Sequence, residues 1–299
     1  MIKGRRGPSG FGYASTAEEV TEGLDLSGRR ILVTGINSGL GRETGRVLAL
    51  RGATILGAAR TLDKAEAALA GFDGDGHVPL VCELSEPESV AACAAAIDAE
   101  VDVLLCNAGI MALPELELRH GYERQLFTNH IGHFILVTRL LDRLAEGGRV
   151  VMLSSSAHSM APEGGIQFDN LRGEQRYDGW KNYGQSKLAN LLFAKALARR
   201  LDGGRTANAV HPGVIHTNLG RHMGLMHKVA PLVSWTFMKS VAQGAATQCY
   251  VAVHPAVAGV SGEYFADCNV AKSSRYSRDP ELAQRLWEVS ERIVAEVGV

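Results

Sequence analysis

No stretch of about 18 consecutive apolar residues occurs in the 299-residue chain, so the sequence offers no transmembrane helix. Lys3, Arg5 and Arg6 stand near the N-terminus, but Gly7-Pro8-Ser9-Gly10 follows where the apolar part of a signal peptide would lie. There is no C-x-x-C pair. Cys82, Cys93, Cys106, Cys249 and Cys268 are scattered, three of them in apolar stretches that read as core. This argues against a metal site or disulfide framework and for reduced thiols in the cytoplasm. An excess of one charge is lacking too. With 31 basic against 32 acidic residues and no long basic run, nothing favours nucleic-acid binding. Linkers, low-complexity tracts and repeats are also missing, so one folded domain is expected over residues 29–299 behind a polar lead-in, 1–28.

The chain is 46% apolar and 21% charged, which suits a soluble globular protein with a sizeable core. Within the lead-in, Thr16 and Glu19 carry capping-box chemistry for a short helix. Beyond it, β-branched runs alternate with helical patterns. Strands are expected at 30–34, 53–59, 78–82, 101–106, 149–153, 206–210 and 262–265. Helices are expected at 42–50, 86–98, 122–144, 186–201 and 240–253. Such alternation predicts an α/β fold, a doubly wound parallel sheet of about seven strands with ligands bound beyond the strands' carboxyl ends.

The first strand runs into Thr34-Gly35-Ile36-Asn37-Ser38-Gly39-Leu40-Gly41. Glycines between a strand and a helix permit a tight turn and let the backbone approach a phosphate, which the free N–H groups of the helix then meet. The second strand ends at Ala59, with Arg60 next and Lys64 one turn on. An NAD site would place a carboxylate at this tip to hold the ribose 2′-OH. Two cations suit a 2′-phosphate, so NADP(H) is expected over NAD(H). The fourth strand ends in Asn107-Ala108-Gly109, the fifth in Ser154-Ser155-Ser156 and the sixth in His211-Pro212-Gly213. Asn129, a mediocre helix former, falls inside a helical pattern with His130 and His133, which have no third ligand at metal spacing.

In Tyr183-Gly184-Gln185-Ser186-Lys187 a phenol and an ammonium lie about one helical turn apart on one face. A nearby cation favours the phenolate, which makes an acid/base of a group whose ordinary pKa is about 10.

Together these residues resemble the short-chain dehydrogenase/reductase family over nearly the whole chain. Asn129-His130-x-Gly132-His133-Phe134 and Ser154-Ser155-Ser156-Ala157-His158 look closest to its retinol-dehydrogenase-like and WW-domain-oxidoreductase-like branch. The resemblance implies a single-domain Rossmann fold and a catalytic set of Asn129, Ser155, Tyr183 and Lys187. Tyr183 would exchange the proton. Lys187 would lower the Tyr183 pKa and hold the nicotinamide ribose, Ser155 would donate to the substrate oxygen, and Asn129 would hold a water linking Lys187 to solvent. Cofactor contacts are implied for Gly35, Asn37, Ser38, Gly39, Leu40, Gly41, Arg60, Lys64, Glu83, Leu84, Asn107, Ala108, Gly109, Tyr183, Lys187, Pro212, Gly213, Val214 and Thr217. Two positions depart from the family pattern. Glu83 replaces an Asp near the adenine, and Cys106 replaces the first Asn of the N-N-A-G segment.

The stretch 214–239, where the family varies its substrate loop, is rich in Met and other apolar residues and points to a small lipophilic ketone, aldehyde or alcohol. Packing of these residues on the sheet or on a second copy of the chain, as a homo-oligomer, is the alternative. His158, Met160 and residues 164–178 are expected to line the same pocket. A nucleotide-binding sensor or scaffold without catalysis is the competing function, which the presence of both Tyr183 and Lys187 disfavours.

Overall fold

The computed structural model describes residues 6–215 and 238–299. Its central sheet has eight strands: β1 (Arg30–Thr34), β2 (Thr54–Ala59), β3 (Val78–Val81), β4 (Val101–Cys106), β7 (Leu144–Leu153), β8 (Thr206–His211), β9 (Tyr264–Ala266) and β10 (Asn269–Val270). They lie in the order β10-β9-β8-β7-β4-β1-β2-β3. Seven are parallel, as the alternation predicts, and β10 turns back antiparallel to β9. Strand order reverses at β1 and β4, which opens a crevice beyond their carboxyl ends. β5 (Leu118–Arg119) and β6 (Tyr122–Glu123) form a separate small hairpin.

Alternate residues of each strand feed opposite faces. Leu32 and Leu104 join the core under α4 (Pro87–Ala95), α6 (Gly132–Leu140), α7 (Gly179–Ala198) and α9 (Pro280–Glu296). Ile31, Val33, Val103 and Leu105 join the core under α1 (Ala17–Val20), α2 (Gly39–Leu50), α3 (Leu62–Leu69) and α8 (Val241–Val253). The Thr16–Glu19 capping box forms as its sequence indicates. The lead-in is not peripheral to the fold: α1 packs on α8, and Phe11 meets Tyr250 edge-on at 5.7 Å.

Two expectations change. The single helix over 122–144 is broken into the β6 strand, a short α5 (Arg124–Leu126), a π-turn (Phe127–Ile131) and α6. The helix carrying Tyr183 begins at Gly179, where the Asp178 side chain accepts from the N–H groups of Trp180 and Lys181. It is also not amphipathic. Every residue from Asn182 to Ala194 is buried, because α9, the β7–β8 region and the turn after Ser155 enclose it. Among the described residues, no helix is long and apolar enough to cross a membrane.

Candidate active site

The glycine loop is built for close approach. Gly35 (φ 71°) and Gly39 (φ 52°) adopt left-handed conformations that side chains disfavour. Ser38 caps α2 in extended backbone but makes no side-chain cap bond, so the first-turn N–H groups keep their capacity for an anion. Asn37 and Ser38 are exposed beside them, and Leu40 is buried. Across the crevice, Asn107 donates from Nδ2 to Thr34 O and from its backbone N to Thr34 Oγ1, both at 2.9 Å, and Ala108 N donates to the same hydroxyl. Arg60 and Lys64 are exposed at the tip of β2 and in the first turn of α3, where Asp63 is exposed beside Lys64, and the position that ends β2 is Ala59 rather than a carboxylate. The Glu83 carboxylate instead accepts from Ser85 N and Oγ, while Leu84 is buried with its carbonyl against Gly132. Cys106 is buried at the end of β4, where burial pushes its thiol pKa up.

At the other end of the crevice, Ser155, Tyr183 and Lys187 converge. Burial raises the Tyr183 pKa to about 12, and a hydrogen bond with Ser155 draws it back only in part. The Lys187 ammonium lies 5.8 Å from the Tyr183 ring centroid and donates to Leu153 O at 3.1 Å. The direction of the Tyr183 shift is therefore set by desolvation, with Ser155 opposing it. Burial also lowers Lys187 itself to about 8.

Asn129 is presented by the π-turn, and both its amide N–H groups and one lone pair of its amide oxygen are engaged. Oδ1 accepts from Ile110 N (2.8 Å), and Nδ2 donates to Ile110 O and to Ser186 Oγ (both 2.9 Å). Ser186 Oγ in turn donates to Tyr183 O. These bonds clamp α7 to the segment after Gly109. Gly109 is wedged in the same place, since a β-carbon there would lie 3.0 Å from Asn129 Oδ1 and 3.3 Å from Lys187 Nζ.

Three buried histidines bracket the site, and their tautomers follow from their partners. Thr34 Oγ1 already accepts two backbone N–H groups, so it donates to His133 Nε2 (2.9 Å), and His133 Nδ1–H donates to Asn129 O (2.9 Å). His158 Nε2 accepts from Ser274 N (3.0 Å), which leaves Nδ1–H to donate to Ser155 O (2.5 Å). His211 Nδ1 accepts from Ser156 N at 3.2 Å. His158, buried at 2% exposure, thus fixes the Ser155 turn from behind. Sequence spacing marks the histidines but not these partners, which lie far along the chain.

Burial depresses His130 to about 3 and His133 and His211 to about 4, from an ordinary 6.5. The unfolded chain takes up these protons first as pH falls. Stability from the three neutral rings is therefore complete above pH about 6.5 and is lost between there and about 4. We expect the Tm at pH 5 to lie at least ~5 °C below that at pH 7.5. A Tm unchanged or higher at pH 5, followed by circular dichroism, would contradict this.

Pro212, Gly213 (φ 93°) and Val214 follow β8 beside the Ser155 turn, whereas Thr217 and most of 214–239 lie outside the described residues. No group of three His, Cys, Asp or Glu side chains suits a metal among the described residues. All five cysteines are free and buried.

Residues 29–227 match the family model described as short chain dehydrogenase. The chain is 42% identical to Short-chain dehydrogenase TIC 32 B, chloroplastic, of Brassica napus, over 98% of this chain and 97% of that one. It is 39% identical to Retinol dehydrogenase 14 of Homo sapiens, over 90% and 87% of the two chains. A solved structure from Mycobacterium paratuberculosis superposes with a TM-score of 0.77 at 35% identity, over 92% of this chain and 97% of the other. A glycine loop at the strand-order reversal, a buried Tyr-Lys pair facing Ser155 and these matches lead to one assignment: the chain belongs to the short-chain dehydrogenase/reductase family, in its retinol-dehydrogenase-like branch.

Proposed function

We propose that this oxidoreductase uses NADP(H) to interconvert a lipophilic alcohol with its ketone or aldehyde, with Tyr183 as the general acid/base. The observation that carries the reading is the meeting of Tyr183, Ser155 and Lys187 at the carboxyl edge of the sheet, opposite an uncapped glycine-loop helix.

A bound nicotinamide supplies the hydride. The N–H groups around Ser38 to Leu40 would hold its phosphates and Asn107 and Lys187 its middle, with Arg60 and Lys64 on the 2′-phosphate. In reduction, Ser155 donates to the substrate oxygen and Tyr183 delivers the proton. A phenol held near 12 keeps its proton at neutral pH, which suits carbonyl reduction. Lys187, near 8, keeps most of its charge there and steadies the phenolate once the proton leaves. Asn129 and His158 hold α7 and the Ser155 turn in place.

Met160 (48% exposed), Trp180 (40%) and Val214 (62%) are large apolar side chains left open to solvent on the segments that carry Ser155, Tyr183 and Gly213. An apolar rim around a polar centre supports a lipophilic substrate. The test is NADPH and NADH oxidation against a panel of lipophilic ketones, aldehydes and steroids. Turnover with NADPH supports the reading, and tight NADPH binding with no turnover on any member favours a sensor. In the same assay, Arg60→Ala is expected to weaken NADPH by roughly tenfold and leave NADH unchanged, since it removes one charge-assisted contact. Equal losses for both cofactors would mean that Arg60 does not read the 2′-phosphate.

A further inference from the structure

Lys239, the last residue of the 214–239 stretch, is among the most buried side chains of the described residues. Its side chain is 1% exposed, and its ammonium lies 2.6 Å from Oδ1 of Asp267, itself 8% exposed. Nζ stands 5.1 Å from the centroid of the Tyr13 ring. Asp267 Oδ2 is buried without a hydrogen-bond partner among the described residues. Desolvating two charges costs several kcal/mol per ion, and a pair with unmet acceptor capacity does not recover that in full. Replacing a buried ion pair by neutral residues of similar volume is often neutral or stabilising, so this pair is weak evidence of a stabilising role.

Lys239 N donates to Val214 O at 2.9 Å, and Lys239 pairs with Ile215 as an isolated parallel bridge, so it joins the two ends of the stretch between them. Its methylene stem lies under Gly213, where a β-carbon would sit 2.8 Å from Lys239 Cδ and 3.1 Å from Cε. Asp267 occupies the left-handed corner between β9 and β10 (φ 51°). Asn269 of that corner accepts from Ser9 N and donates to Phe11 O, which ties in the lead-in. The His211 ring feels both charges of the pair and accepts from Ser156 N, next to Ser155.

We propose that Lys239, locked by Asp267 and covered by Tyr13, is a positioning residue that sets the height of Pro212-Gly213-Val214 beneath the nicotinamide end of the cofactor. This rests on the proposed function. The phosphates belong at the α2 end and the hydride must arrive beside Tyr183, so the ring lies over the segment that Lys239 supports. The lead-in is thereby part of the active-site scaffold.

The experiment compares the wild type with Lys239→Met/Asp267→Asn, which keeps volume, keeps at the corner a residue type that tolerates the left-handed backbone, and removes both charges. It measures Tm, the affinity for NADPH by nicotinamide fluorescence, and the affinity for 2′-phospho-ADP-ribose, which has the phosphate end without the ring. We expect an unchanged or raised Tm, unchanged affinity for 2′-phospho-ADP-ribose and a loss of at least ~10-fold for NADPH, as small misplacements of a binding group cost. Unchanged NADPH affinity overturns the proposal, as do equal losses for both ligands or a lowered Tm, each of which marks a structural pair. Failure of the wild type itself to bind NADPH would overturn the functional reading first, and that arm separates the two failures.

Discussion

Tyr183→Phe is expected to lower turnover by at least ~10²-fold, the low end for loss of general acid/base catalysis, while NADPH binding is largely kept. Tyr183 is 7% exposed in a helix closed in on all sides, and a phenyl ring fills the same space. What disappears is the hydroxyl that shares a hydrogen bond with Ser155 and, in the proposed mechanism, exchanges the proton with the substrate oxygen. Lys187 cannot take over the proton, because its ammonium is directed to Leu153 O. The measurement is kcat and NADPH affinity on one ketone that the wild type reduces, with Tm as the check on folding. Near-normal kcat would remove Tyr183 from the chemistry. A fall in kcat matched by a fall in Tm would point to packing.

Gly41→Ala is the second large effect. A β-carbon at this position would lie 2.6 Å from Asn107 Nδ2 and 2.8 Å from Gly35 C, and closer still to Gly35 O. Two of these three atoms are backbone of the turn that receives the phosphates, so the clash cannot be relieved by a rotamer change. Forcing α2 away from the turn costs roughly 1–3 kcal/mol in overpacking. It also spoils the alignment of the uncapped N–H groups with the turn. We expect at least ~10-fold weaker NADPH binding, equivalent to about 1.4 kcal/mol, together with a lower Tm. Gly71→Ala, where a β-carbon meets nothing within 4 Å, is the control and should change neither. Wild-type affinity in Gly41→Ala would show that the loop accommodates the methyl and that the close approach is not needed.

Features carried by a short stretch of chain are legible in the sequence. The glycine loop, the Arg60 strand tip, the capping box at Thr16 and the seven parallel strands each depend on residues within a few positions of one another, where periodicity and cap chemistry operate. The π-turn is not legible, because its cause is distant. The backbone at Phe127–Ile131 bulges where Asn129 reaches Ile110 and Ser186, and a helical pattern that continues on both sides conceals the bulge. The pKa balance at Tyr183 is hidden for a related reason. A Lys four residues away is visible in the sequence, but full enclosure of the helix by α9 and the strands is not, and enclosure dominates. His158, His211, Lys239 and Asp267 act across 28 to 116 positions of chain, and no local pattern announces such pairs.

The sheet has two outer strands, and neither offers a free row of backbone groups. β3 has only four residues and contains Pro79, which has no N–H to give. β10 has two residues and turns back antiparallel at the Asp267–Cys268 corner. Among the described residues both margins of the sheet are therefore short, which disfavours edge-to-edge pairing with a neighbouring molecule.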